Sequence, residues 1–364
     1  HDGGKHWSLI TSGIPSNESV NVVREDPKHR ALLYAGTERH VYVSFDDGAQ
    51  WQSLQLNLPV TSMRDIVFNG EDIVLATHGR GIWVLDNASP LRQVASVQGS
   101  AYLFKPAVAY RVRPGSDEGT PIPPEEAQLP NPPGGAMIDY YIGSARTPVV
   151  IQITDATGRT VRQWSSTDKP VSVNPQAVDI PAYWLQTQYP PSSEPGAHRW
   201  LWDYTYAGAG RGRFGRGGGP LAPPGTYTVH LRVNGKTYTQ QLTLRRDPTA
   251  PATDADLRAQ FQLAEQIDAQ LQAVQTARRR AESLLKTHPQ LKAIAGEAPV
   301  SSPDDSEGKP AQDFNSLRYI GDALQSLEGA VESADARPTP DQYAAFAILK
   351  SKAAKALGAL ATVH

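Results

Sequence analysis

The sequence predicts a mostly β chain that becomes α-helical towards its C-terminal end. Three observations carry this expectation. A Ser-x-Asp-x-Gly-x-x-Trp turn, Ser44 to Trp51, follows β-forming sequence and is echoed at Trp7, 44 residues earlier. Residues 136–248 alternate apolar and polar side chains around an Asn-Gly hairpin. From Thr253 the apolar period becomes 3.6.

The first stretch is read from its strands. Leu32 to Thr37 and Val41 to Val43 are β-rich and lead into the Ser44–Trp51 turn. In that turn Asp46 and Gly48 suit a tight reversal in which the carboxylate accepts backbone N–H groups, and Trp51 buries its ring beside the hairpin. Asp2, Gly4 and Trp7 repeat the end of the pattern. Tyr34 to Val43 aligns with Leu75 to Val84 at a sequence offset of 41, with Asp86-Asn-Ala-Ser89 as a degenerate turn. Spacings of 41 to 44 residues match the period of a four-stranded propeller blade.

Residues 112–135 read as a linker, rich in Pro, Gly and acidic residues. Ile138, Tyr140 and Ile142 share a strand face, as do Val149, Ile151 and Ile153. Asp155 to Gly158 forms a turn, Val161 to Trp164 a strand, and His198 to Tyr206 another. Tyr227 to Val233, Asn234-Gly235 and Lys236 to Leu244 form a hairpin. Six or seven such strands suggest an immunoglobulin-like or fibronectin-like β-sandwich. Thr253 caps a helix striped by Leu257, Phe261, Ala264, Ile267, Leu271, Val274, Ala281 and Leu285, and His288-Pro289 ends it. Leu317, Ile320, Leu324, Leu327 and Val331 stripe a second helix. Thr339-Pro-Asp-Gln342 is a capping box for a third, carrying Tyr343, Phe346, Leu349, Ala353, Leu357 and Leu360. Three single-stripe helices imply a small antiparallel bundle.

The Ser44–Trp51 turn and its echo resemble the Asp-box (BNR) repeats of sialidase-like and sortilin-type β-propellers. The order of propeller blades, sandwich and helical tail resembles the C-terminal part of bacterial BNR-repeat proteins of the sortilin-like or glycosyl-hydrolase type. The resemblance implies four domains: 1–95 as the C-terminal blades of an incomplete propeller, 96–135 as linker, 136–248 as an Ig-like sandwich and 249–364 as helical. It gives Asp2, Gly4, Trp7, Ser44, Asp46, Gly48 and Trp51 a structural role. It also implies export to the periplasm, the cell surface or the medium. Because a propeller needs about four to eight blades to close, further blades are expected from the same polypeptide or from another chain.

Composition narrows function. The 364 residues carry 35 basic and 37 acidic side chains, a net charge of −2, which argues against a dedicated nucleic-acid binder. No apolar run reaches the roughly 18 residues of a membrane-spanning helix. The absence of cysteine removes disulfides, thiolate nucleophiles and Cys-ligated zinc. No His-Glu-x-x-His, Gly-x-Ser-x-Gly or phosphate-binding loop is present, and no cofactor is expected.

His78, Arg80 and Arg39 are the candidate ligand-binding residues, placed between predicted strands where they would meet a carboxylate or sugar acid. In the plainer reading, the two arginines occupy repeat-related positions and bond to strand-end carbonyls. Asp46, Asp47, Asp72 and Asp86 could be nominated for paired-carboxylate chemistry, although Asp46 belongs to the turn. Arg211 to Pro220 is an Arg-Gly-rich loop, and Trp200 and Trp202 share a sheet face. The expected function is binding of an extracellular polymer or protein partner, a carbohydrate among the ligands considered, with no complete catalytic site in these residues. The alternative is a glycoside hydrolase whose site lies mainly in upstream blades.

Overall fold

The computed structural model describes residues 3–113, 132–145, 147–171, 189–209, 218–296 and 314–362. It is mostly β with a helical C-terminal region, and divides into two compact units, residues 1–107 and 108–364.

In the first unit, β1 (Val20–Asp26), β2 (His29–Thr37), β3 (Val41–Ser44) and β4 (Gln52–Ser53) form an antiparallel meander in that order. β5 (Ser62–Asn69), β6 (Asp72–His78) and β7 (Ile82–Leu85) form a second, three-stranded meander. A 3-10 helix (Ser89–Ser96) and the short strand β8 (Ala101–Leu103) complete the unit. The two sheets share a core: Val22, Leu32, Tyr34, Val41 and Val43 pack with Met63, Ile66, Ile73 and Leu75. Side chains of β1 tie the sheets together. Asn21 donates to Met63 O (3.0 Å), and the Arg24 Nε–H to Ile66 O (3.1 Å). Each pair is separated by 42 residues, so the second sheet stands one repeat beyond the first.

The repeat is not uniform. In the first sheet Tyr34 lies opposite Val43, whereas in the second Leu75 lies opposite Trp83 and Val74 opposite Val84. The alignment at offset 41 therefore fails by one residue at the third strand. The chain from Leu75 to its partner Trp83 is one residue shorter than that from Tyr34 to Val43, and the β6–β7 turn has Gly79 (φ 87°) and Gly81 (φ 72°) in the left-handed region. A one-residue shift exchanges the faces of a strand. Val43 is 3% exposed, while Val84, its sequence counterpart, is 49% exposed and Trp83 takes the inward position.

In the second unit, β10 (Ala136–Ile142) pairs with β13 (Gly196–Trp202). A five-stranded sheet has the order β12 (Thr160–Ser165), β11 (Val150–Thr154), β14 (Gly225–Val233), β15 (Lys236–Arg246), β9 (Ala109–Arg111). All its pairings are antiparallel except β9 with β15. The β14–β15 turn has Asn234 and Gly235 at φ 51° and 75°, as a type I′ turn needs. Trp202 of β13 packs on Tyr227 of β14 at 5.0 Å between ring centroids, and Trp200 on Trp164 of β12 at 5.4 Å, so the strand pair covers the larger sheet. Both Trp200 and Trp202 are core residues. The strand expected over 198–206 ends at Trp202, and Tyr204 has a φ of 62°.

The helices are α1 (Asp254–Leu284), α2 (Leu291–Ala295), α3 (Leu317–Val331) and α4 (Pro340–Ala361). Thr253 with Asp256, and Thr339 with Gln342, form capping boxes. The stripe of α3 is buried throughout and packs on Leu263, Ile267, Leu271 and Val274 of α1. α2 is an element that periodicity did not suggest, because five residues are too few to show a period; it buries Leu291 and Ala295.

Candidate functional site

The Ser44–Trp51 turn is assembled from its own side chains. The Ser44 hydroxyl donates to Asp46 Oδ1 (2.8 Å) and accepts the Gly48 N–H (2.9 Å), and Asp46 Oδ1 also accepts the Gln50 N–H (2.8 Å). These bonds hold the Asp46 carboxyl below its usual range. Asp47 and Gly48 reverse the chain at φ 59° and 88°. Trp51 is 4% exposed, donating from Nε1 to Ile10 O (2.7 Å) and from its backbone to Ser12 O (2.8 Å). The chain can lie this close only because Gly13 has no side chain: a Cβ there would stand 2.1 Å from Trp51 O.

The echo near the chain start behaves differently. Asp2 lies outside the described residues. Gly4 has a φ of 82° and its carbonyl accepts Trp7 Nε1–H (3.1 Å), but Trp7 is 90% exposed, so the expected burial is not found. Trp51 is covered by Ile14 in a cluster with Ala35 and Tyr42. No described residue covers Trp7 in this way. The repeat nevertheless runs further than the turn: Gly4, Trp7, Ile14 and Pro15 recur as Gly48, Trp51, Leu58 and Pro59. The i,i+3 bonds from Ile14 N to Thr11 O and from Leu58 N to Gln55 O recur with them.

The candidate ligand residues lie at the β2–β3 and β6–β7 turns. Thr61 joins these turns: its N–H donates to Arg39 O (3.2 Å) and its hydroxyl to His78 O (3.0 Å). Arg64 Nη2 donates to His78 Nδ1 (3.4 Å), which requires the neutral ring as acceptor. Arg39, Arg64, His78 and Arg80 are all exposed. None of the four makes an ion pair with a carboxylate among the described residues, and neither Arg39 nor Arg80 bonds a strand-end carbonyl through its side chain there. Arg80 instead offers its own carbonyl to Trp83 Nε1–H (2.9 Å).

Behind Arg39 stands a cluster that motif reading missed. Glu18, with a 4% exposed side chain, accepts from Thr37 Oγ1 (2.6 Å), His40 Nδ1 (2.7 Å) and Tyr42 OH (3.3 Å). Burial alone would raise its carboxyl, but the bonds from Thr37 and His40 hold it below the usual range. Burial and the Glu18 charge raise the Tyr42 phenol. Glu18 precedes every predicted strand and is 22 residues from His40, so no local motif signals the pairing.

At the opposite turns the cations are neutralised. Arg92 donates from Nε to both oxygens of buried Asp26 (2.8 and 3.0 Å) and pairs with Glu71, which also takes Lys28 Nζ (2.7 Å). Tyr34 OH completes the group on Asp26, and its phenol is pushed far up by burial and that carboxylate. Asp72 accepts the Asn87 N–H (2.8 Å) and closes the β6 end, a turn role like that of Asp46. The Arg-Gly loop at 211–217 lies outside the described residues. Among the described residues no group of three or more His, Cys, Asp or Glu is arranged to hold a metal, and no helix is long and apolar enough to cross a membrane.

Comparison with protein-family models finds no matching family, and comparison with curated proteins finds no match. Among solved structures, one described as "Biofilm associated protein - BSP domain" is similar over 60% of this chain and 28% of that chain, with 11% sequence identity and a TM-score of 0.18. This chain thus matches little more than a quarter of that structure's length.

Proposed function

We propose that residues 1–95 are Asp-box propeller repeats of an exported bacterial protein, followed after a linker by an Ig-like sandwich and a helical bundle. Their role is to bind an extracellular anionic polymer or protein, without a complete catalytic site in this chain. The observation carrying this reading is the contrast between the two ends of the strands. Arg92 and Lys28 are matched by Asp26 and Glu71 at one end, whereas Arg39, Arg64, His78 and Arg80 stand exposed without a carboxylate partner among the described residues at the other. Exposed guanidinium groups of this kind suit bidentate recognition of carboxylates.

The propeller part rests on the self-bonded Ser44–Trp51 turn, the repeat spacing and the open second sheet. Among the described residues β7 pairs with β6 alone, whereas the corresponding strand β3 also takes β4. Val67, Val74 and Val84 form one cross-strand row on the outer face, and Ile82 beside it is 66% exposed. Further repeats, from the same polypeptide or another chain, would cover this face and edge.

The test is retention of the full chain on immobilised polygalacturonate, a carboxylated polysaccharide, against neutral dextran. Binding to the first alone, weakened by added salt and lost in the triple variant Arg39→Gln, Arg64→Gln, Arg80→Gln, is expected. Equal retention on both, or a triple variant that binds as the parent does, would overturn the assignment of this end.

A further inference from the structure

The second unit contains a carboxyl cluster with no part in the reading above. α1 and α3 meet the strand region through buried polar groups. Arg111, at the end of β9 and 2% exposed, donates to Ala222 O (3.1 Å), Gln260 Oε1 (2.7 Å) and Asp335 Oδ1 (3.1 Å). Gln260 of α1 donates onward to Val331 O (2.8 Å), at the end of α3, and to Ala334 O (2.6 Å), just past it. Arg113 pairs with Asp335 and with Glu332 O. Two backbone amides of the strand region are held by helix carboxylates: Ala209 N–H by Asp268 Oδ1 (2.6 Å) and Leu221 N–H by Glu332 Oε1 (2.7 Å).

Glu328 of α3 lies one helical turn before Glu332, the C-cap of that helix. It is 6% exposed, and its Oε1 has no hydrogen-bond partner among the described residues. A buried, unpartnered carboxylate oxygen is costly in its charged form and tolerable in its neutral form. The charge balance agrees. Among the described residues, Asp268, Glu328, Glu332 and Asp335 face two guanidinium groups, those of Arg111 and Arg113, and both arginines contact Asp335. The groups acting on Glu328 are Asp268 from α1 and Glu332 at the C-cap of α3; burial raises the Glu332 carboxyl as well, against the Leu221 N–H, Arg111 and Arg113, which favour its charge.

We propose that the α1–α3 junction with the strands is a proton-dependent latch, closed while Glu328 carries its proton and loosened when Glu328 ionises beside Asp268 and Glu332. Burial, then the charges of Asp268 and Glu332, push the Glu328 carboxyl up to about 8. The direction follows from linkage. An acid whose pKa is raised from an unfolded value of 4.5 binds its proton in the closed state over a range where the open state has lost it. The closed state is therefore favoured in acid and loses ground as pH rises, by up to about tenfold in the equilibrium per pH unit, levelling off once Glu328 is ionised in both states.

The test is amide hydrogen exchange on the full chain at pH 5 to 9, corrected for intrinsic exchange, read at Ala209 and Leu221. Protection is expected to fall by about tenfold per pH unit up to pH 8 and then level, and to lose most of this dependence in Glu328→Gln. Equal pH dependence in parent and variant would overturn the latch. Because the variant could fail to fold, carbon-13 NMR of the glutamate carboxyls in the unsubstituted chain supplies a second reading. One carboxyl titrating near pH 8 supports the proposal, and all of them titrating below about pH 6 removes it.

Discussion

At the scale of single residues, Ser44, Asp46, Gly48 and Trp51 form a turn bonded mostly to itself, so local sequence was sufficient to read it. Its energetic weight lies in the ring. Trp51→Ala should cost about 3–5 kcal/mol in urea unfolding, whereas Trp7→Ala, at a 90% exposed position, should change stability by less than about 0.5 kcal/mol. Equal effects would mean that Trp7 is buried in solution. Gly13→Ala should also be clearly destabilising, since its methyl would meet the Trp51 carbonyl. The Glu18 cluster has a pH consequence. Its carboxyl is lowered by folding, so the stability it contributes is present above its unfolded value of 4.5 and is lost as pH falls through the lower folded value. Acid unfolding of the first unit should therefore shift to higher pH in His40→Ala, as followed by circular dichroism.

At the scale of elements, Val43 and Val84 separate sequence equivalence from structural equivalence. Val43→Ala removes two buried methyl groups and should cost about 2 kcal/mol, while Val84→Ala should stay within about 0.5 kcal/mol. Comparable losses would place the two strands in the same register. The helices behave more simply. Thr339→Ala removes one arm of a capping box and should lower stability by about 1 kcal/mol in thermal unfolding. β1 and β5 were the strands hardest to see, because their outward positions carry Val20, Val23 and Val67 and so blur the alternation that marks a half-buried strand. β9 lies inside the stretch 96–135 read as linker, and joins β15 from far away in sequence.

At the scale of the whole molecule, the pH response has two sources of opposite sign. Lowered carboxyls such as Glu18 and Glu71 in the first unit favour the folded state above the acid range. Raised carboxyls, Glu328 and Glu332 in the second, make stability fall as pH rises, for Glu328 up to about pH 8. Calorimetry across this range should show the transition of residues 108–364 moving down with pH while that of residues 1–107 stays nearly level. Parallel movement of both would contradict this division.

The sequence by itself determined the mostly β character, the Ser44–Trp51 turn, the Asn234-Gly235 hairpin and three of the four helices. Each of these is set by residues near one another in the chain, through turn chemistry, side-chain alternation or a helical stripe. Only the tertiary structure decided what depends on distant partners. It put Glu18 under His40, joined the Arg39 and His78 turns through Thr61, and shifted β7 by one residue. It also enclosed Glu328 between Asp268 and Glu332. Burial and charge pairing couple residues separated by tens of positions, and a pattern that records only neighbours carries no trace of that coupling.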